Sequence, residues 1–507
     1  MSEIYYSTAD HDADCRPAAA ATGRRFPGTL RLAGTVALVL ALGLMAALVV
    51  NAVNGWGLGG PAAVTLCIFI AAVWFWIFSP VEDTYVALGA AVALVISGVL
   101  PSESLFAALG EDTVWLLMAA FVIASAVAST GLAGRGAAFI ISGARSVRQL
   151  AHLSCLGLIV TAFAIPATSG RAALVLPIFL TLRRVLQDRP TVVKMLAVLF
   201  PTVILLSAVS SFLGAGAHLI TSQILQAAGY PGFGFASWLL LGLPLALAAS
   251  FLATELVLRL FTDRSDRAEP LRINTARLQE DNPQRISGPL ALAEQRCLLL
   301  LCTVVALWCT ESIHGLDPAL VALIGALVVC LPAYGATDLG TALKTVPWSM
   351  LIFMAATLAL GSSLVSTGAA DWLASLILGP VSFFGAAKPY VFVVVVVVAS
   401  TAAHLVIQSR SARSAVLIPV IVASAGAMGV EPMAAAFAST AAAGFCHTLT
   451  SSAKPVAIFA ETGGHVNYVP ADLLRLSVWL APLSAGLVLL FSLAVWPLLG
   501  LPIISLP

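Results

Sequence analysis

The stretch TSGRAALVLPI, residues 168–178, sets an arginine at the foot of an apolar run, and RSARSAVLIPV, residues 410–420, does so again. Aligned, the copies pair Ser169 with Ser411, Arg171 with Arg413, Ala173 with Ala415 and Pro177 with Pro419. Upstream of each, in the same order, stand MAAFVIASAVASTG at 118–131 and MAATLALGSSLVSTG at 354–368. Similarity at several points in one order argues for duplication rather than chance.

Around these motifs the chain is mostly hydrocarbon. Of its 507 residues 60% are hydrophobic and 10% charged, whereas a soluble domain is about 25% charged. Apolar runs long enough to cross a bilayer core of about 30 Å recur from Leu30 onward. Spans are expected near 31–53, 61–79, 84–100, 112–132, 191–213, 236–260, 297–313, 317–335, 347–368, 433–450 and 473–498. The first is too long and too late for a signal peptide, and is read as a retained helix. Two broken regions, 137–187 and 372–427, each hold two shorter apolar arms that meet at one arginine motif. Residues 1–30 read as a polar cytoplasmic tail, 262–296 as a polar linker between membrane halves 31–261 and 297–500, and 501–507 as a C-terminal tail.

If each broken region is a hairpin that returns to the side it entered from, an odd number of crossings separates the copies. The second copy is then inverted. The expected fold is an all-α polytopic membrane protein of two inverted repeats, with about 11 transmembrane helices plus two re-entrant hairpins. Interrupted segments at matching places in inverted repeats point to a secondary transporter with its site at the interruptions.

The cations test this arrangement. With a cytoplasmic N-terminus, most of the 25 Lys and Arg residues fall on cytoplasmic flanks and loops, and Lys388 falls outside. That is the positive-inside asymmetry of an integral inner or plasma membrane protein. Arg171, Arg410, Arg413 and Lys454 remain, all at the interruptions. A charge inside the membrane costs a few kcal/mol and needs a partner or a wet cavity. Acidic partners nearby in sequence are scarce, with Glu461 the closest. A small anionic substrate is the economical counter-charge.

Other chemistries find little support. The eight cysteines lack metal-ligand spacing and read as small buried hydrophobes. No HExxH, GxSxG, Asp-rich cluster or GxxxxGK[ST] is present, so neither an enzyme nor transport driven in cis by nucleotide is expected. No cofactor, metal or nucleic-acid partner is expected. An antiporter for Na+/H+ or a metalloid oxyanion is the alternative within transport. An acidic dyad would favour a cation antiporter, and the interruptions here are basic. A membrane-embedded enzyme is the remote alternative.

At these motifs the chain resembles the divalent anion:sodium symporters (DASS) of the ion transporter superfamily, over about residues 31–500. The family's hairpin tips read Ser-Asn-Thr with an LLPI-like tail; here the tails are ALVLPI (173–178) and AVLIPV (415–420). Its Thr-Pro-Pro-Asn helix breaks align with GAGAHLI (214–220) and SAKPVAI (452–458). The resemblance implies a moving domain of hairpins and broken helices, a scaffold that forms a homodimer, and an elevator-like displacement. It places Thr168, Ser169, Arg171, Gly214, Gly216, His218, Ser409, Arg410, Ser411, Arg413, Ser452 and Lys454 at the substrate site.

The chain also departs from that pattern. The tips become Ala167-Thr168-Ser169 and Ser409-Arg410-Ser411, and His218 and Val456 stand where each break would carry Asn. Hard cations need several converging oxygens, and cationic side chains crowd those places. Sodium coupling of the family type is therefore not expected. Arg171, Arg410 and Arg413 are expected to sit where sodium would, with planar donor forks suited to carboxylate or sulfate oxygens. On that reading Arg413→Gln abolishes anion binding. His218 is the candidate for proton coupling, while His404 and His447 are given no role.

Overall fold

A computed structural model of the chain describes residues 28–132, 135, 136, 139, 142–271, 288–332 and 336–504. The tail to residue 27, residues 272–287 of the linker and the last three residues lie outside them, as do 137, 138, 140 and 141 of the first broken region. Within that range the protein is helical apart from a two-stranded β-hairpin, Glu461–Thr462 with His465–Val466.

Among the described residues, 11 helices are long and apolar enough to cross a membrane. Three of these, Val147–Ala164, Phe384–Leu405 and Arg410–Met428, are hairpin arms. Their places in the count of spans go to Asp83–Ile96, Pro318–Val329 and a helix broken between Pro432–Ala442 and Lys454–Ala460. The span expected at 433–450 thus stops at Ala442 and resumes after an irregular stretch. The helices Asp112–Thr130 and Trp348–Ser366 both end in Ser-Thr-Gly, and Gly131 and Gly368 both take φ 74°, a conformation that suits glycine.

The first hairpin joins Val147–Ala164 to Thr168–Val185 across three residues. The second joins Lys388–Ala402 to Arg410–Ala425, and Ala369–Val381 is a separate helix before it. The expected broken regions were therefore wider than the hairpins. Pro177 and Pro419 sit inside the second arm of each hairpin. A proline there removes one ladder hydrogen bond.

The repeats are interlocked. The first broken helix runs Pro190–Leu206, then through short 3-10 turns to Gly216–Ala227. Its first arm packs on Lys454–Ala460 and its second on Pro432–Ala442, so the broken helices cross antiparallel, as inverted repeats require. Each also lends its last arm to the other repeat's hairpin: Gly216–Ala227 packs on Arg410–Ala425, and Lys454–Ala460 on Thr168–Val185. At the tips, Arg410 Nη2 donates to Thr168 Oγ1 at 2.9 Å, two residues 242 positions apart, the same offset that relates Arg413 to Arg171. Equivalent residues touch, so the local pseudo-twofold axis runs between the tips.

Burial divides the interior into two apolar clusters. One gathers the first hairpin, Pro190–Leu206, the end of Phe235–Phe261, Phe459 and the start of Pro470–Leu490. The other gathers most of the remaining described helices, including the second hairpin.

Candidate functional site

Both tips and both breaks open onto one pocket of about 330 Å³, within the usual size range for small-ligand sites. Ala167, Thr168 and Ser169 line it from the first tip, and Gln408, Ser409, Arg410 and Ser411 from the second. Ala215 and Gly216 come from the first break, and Ser451, Ser452, Ala453, Lys454 and Pro455 from the second. Asp83 and Met350 complete it from outside the motifs.

Three helices from the tips and the first break begin at this pocket, Thr168–Val185, Gly216–Ala227 and Arg410–Ala425, as does Asp83–Ile96. Each leaves its first N–H groups without intrahelical acceptors and turns the positive end of its dipole to the pocket. Such ends favour anions. Two side-chain cations stand among them. Arg410 is half-buried, with one donor on Thr168. Lys454 is exposed to the pocket and has no ion-pair partner among the described residues.

Close packing shapes the rest. A Cβ on Gly216 would lie 2.3 Å from Met350 Cε and 3.1 Å from Ser411 Oγ, so glycine lets the first break reach the second tip. Gly214 does not line the pocket; a Cβ there would lie 2.1 Å from the Ala208 carbonyl oxygen, so it permits the turn of the break. Ser409 Oγ accepts from Ala412 N at 3.3 Å and Ser452 Oγ from Leu449 N at 3.1 Å, so both cap local turns at the pocket wall. Ala167 has φ 69° and ψ 135°, the one positive φ outside glycine among the described residues. A side chain held there is strained, and such residues gather at functional sites.

The remaining expected residues lie elsewhere. Arg171 is fully buried: its Nε donates to Thr161 Oγ1 at 3.1 Å, Nη1 to the Ile204 carbonyl at 2.9 Å, and Nη2 to the Leu158 carbonyl at 2.6 Å and Ser207 Oγ at 2.8 Å. Four oxygens enclose the guanidinium, and Arg171 does not line the pocket. Arg413 is equally buried, yet its Nε, Nη1 and Nη2 find no oxygen partner among the described residues, and only the Cys446 thiol stands beside it. His218 is buried off the pocket, with Nδ1 at 3.0 Å from the Ser211 carbonyl and its ring stacked on Trp238 at 4.7 Å.

Sequence reading missed Asp83, Met350 and the strain at Ala167. Glu461, the acid nearest in sequence to the cations, lies exposed on the β-hairpin and does not line the pocket; Asp83 does. Asp83 stands in VEDT, residues 81–84, which reads only as an ordinary acidic helix start.

The chain matches the family described as "Sodium:sulfate symporter transmembrane region" over residues 31–501. It belongs to this family. It is accordingly an integral, multi-pass membrane transporter and not an enzyme. The L-tartrate/succinate antiporter of Escherichia coli is 26% identical over 412 residues, 78% of this chain and 80% of that one. The putative malate transporter YflS of Bacillus subtilis is 23% identical over 326 residues, 62% of this chain and 67% of that one. A protein of Cupriavidus necator described only as a membrane protein is 24% identical over 438 residues, 83% of this chain and 80% of that one. In fold, the chain is similar to the crystal structure of the YdaH transporter of Alcanivorax borkumensis. The TM-score is 0.50 at 15% identity, covering 88% of this chain and 100% of that one.

Proposed function

We propose that this protein is a secondary permease for small anions, namely dicarboxylates or sulfate-like dianions, which bind between the hairpin tips. The observation that carries this reading is the convergence of three helix N-termini with Arg410 and Lys454 on one pocket. The relatives described as malate and tartrate/succinate transporters agree with it in substrate chemistry. By this reading the hairpins and broken helices travel together past a dimeric scaffold, and the N-terminus faces the cytoplasm.

In the same reading Arg171 stands in for a sodium ion. Two carbonyls and two hydroxyls around one cation, with no carboxylate, form an oxygen shell of the kind hard cations take. A guanidinium tied to the chain fills that shell permanently, so sodium is not needed to assemble the first tip. Arg410 and Lys454 act differently, as ligands to the transported anion. Thr168, Ser169 and Ser411 supply hydroxyls beside them.

Uptake of labelled succinate and sulfate into proteoliposomes, with a sodium gradient or with choline in its place and at two pH values, tests this. Uptake indifferent to sodium is expected. Strictly sodium-driven uptake defeats the role given to Arg171, and a pH effect alone assigns the coupling to protons.

A further inference from the structure

The wall of the pocket is polar on most sides. Ala167, Ala215, Ala453 and Pro455 add small apolar faces, and Met350 alone among the described lining residues carries a long apolar side chain. Its neighbours fix where that side chain ends. A Cβ on Gly216 would lie 2.3 Å from Met350 Cε and 3.1 Å from Ser411 Oγ, so the methyl stands where the first break meets the second tip. Met350 enters from outside the hairpins and broken helices, in the first turn of Trp348–Ser366, where its N–H donates to the Pro347 carbonyl at 2.9 Å. Thr84 Oγ1 ties down the same turn by donating to the Ser349 carbonyl at 3.0 Å, and the helix packs on both Gly216–Ala227 and Arg410–Ala425. The backbone beneath the thioether is held, and the methyl is seated against Gly216.

A short dicarboxylate and a sulfate-like dianion meet such a wall differently. The dicarboxylate has charged ends and a methylene waist, whereas sulfate presents oxygen on every side. A thioether donates no hydrogen bond, so it cannot replace the water it strips from a sulfate oxygen. Against methylenes it is a favourable neighbour, because it is apolar, polarisable and able to adapt its shape. Burying two methylenes corresponds to about tenfold in affinity.

We infer that Met350 is a specificity-determining residue: its thioether receives the waist of a short dicarboxylate whose ends lie on Arg410 and Lys454, and it disfavours an all-oxygen dianion of the same charge. The inference rests on the anion-permease reading above and narrows its substrate. The cations and helix N-termini attract succinate and sulfate alike, since the two carry equal charge. The choice between them falls to the apolar part of the wall.

Succinate and sulfate are the probes, and their binding to the purified full-length protein is measured by titration calorimetry at one pH and ionic strength. Succinate is expected to bind about tenfold more tightly than sulfate. Met350→Gln keeps the length of the side chain and adds a donor, so it should erase that preference by weakening succinate and strengthening sulfate. Met350→Leu stays apolar and should preserve it. Methyl NMR of the unsubstituted chain, labelled at its eight methionines, gives a second readout. The Met350 resonance, assigned through its loss in Met350→Leu, should shift with succinate and move less with sulfate. Sulfate binding as tightly as succinate, an unchanged ratio in Met350→Gln, or a Met350 methyl that ignores succinate overturns the inference and leaves the permease standing. Binding of neither anion overturns both.

Discussion

Arg171 and Arg413 occupy the same place in the two repeats, both fully buried, and their surroundings are opposite. Arg171 donates to two carbonyls and two hydroxyls, while Arg413 has no oxygen partner among the described residues and only the Cys446 thiol beside it. The offset of 242 that joins the tips carries Thr161 to Ala403. The second copy has kept its arginine and lost the Thr161 hydroxyl that helps hold the first. One duplicated motif has thus become two devices: a satisfied structural cation in one repeat and an unsatisfied one in the other. Recurrence of a charged residue does not by itself mean recurrence of its role.

The largest effect should come from Arg171→Met. It removes the charged donor that four buried oxygens share, and breaking a buried charged network costs roughly 3–5 kcal/mol. Thermal unfolding in detergent should show a collapse in stability or loss of folded protein. Arg171→Ala sharpens the point, because it vacates the oxygen shell without filling it. If that shell is a cation site, sodium but not choline should raise the melting temperature of Arg171→Ala. A variant indifferent to sodium would mean that the shell recognises guanidinium alone.

Arg413→Met should move stability the other way. Replacing a poorly compensated buried charge with an apolar side chain of similar size is neutral or stabilising by about 1–4 kcal/mol. A melting temperature equal to or above that of the parent is the expected result. A loss as large as that of Arg171→Met would break the comparison, since it would require partners for Arg413. Anion affinity of Arg413→Gln is the companion measurement. Arg413 is absent from the pocket wall, so a change of only a few-fold is expected, through the weakened positive potential. Abolished binding would return Arg413 to the site.

Much of this was legible in the chain. The repeats, the two interruptions and the gathering of Thr168, Ser169, Ser409, Arg410, Ser411, Ser452 and Lys454 follow from the periodic apolar runs and the places where they fail. These are local patterns, and the inverted repeat brings them together by symmetry. Asp83 and Met350 escaped because they reach the pocket through packing between elements far apart in sequence, which no local pattern encodes. The divergence of the arginines escaped for a related reason. Thr161 and Ser207 look like ordinary helix residues until the fold sets them around one guanidinium.

The pocket itself offers a second contrast. Arg410 crosses the pseudo-axis to Thr168, whereas Lys454 reaches no partner among the described residues. Arg410→Gln should therefore weaken anion binding tenfold or more and also loosen the contact between the tips, as a charged hydrogen bond of about 1.5–3 kcal/mol is lost. Lys454→Gln should weaken binding without changing the melting temperature of the ligand-free protein. Equal stability losses in both variants would mean that Lys454 too is tied to the fold.

The smallest effect concerns how the two tips begin. Ser409 starts the second tip in extended backbone, φ −71° and ψ 123°, and caps Ala412 N with its hydroxyl. Ala167 starts the first at φ 69° and ψ 135° and has no hydroxyl to cap with. A backbone strained in this way costs about 1–3 kcal/mol in a residue with a Cβ, whereas glycine adopts it freely but loses about 0.5–1 kcal/mol of chain entropy. The net expectation for Ala167→Gly is a gain of about 1 kcal/mol, seen as a rise of about one degree in melting temperature for a chain of this length. If the strain also holds the tip ready for the anion, the same variant should bind more weakly while melting later. A tip that is merely tight would gain stability and keep its affinity. Opposite movement of the two readouts would therefore identify Ala167 as the point where the first repeat sacrifices stability to shape the site, a role that capped Ser409 does not share.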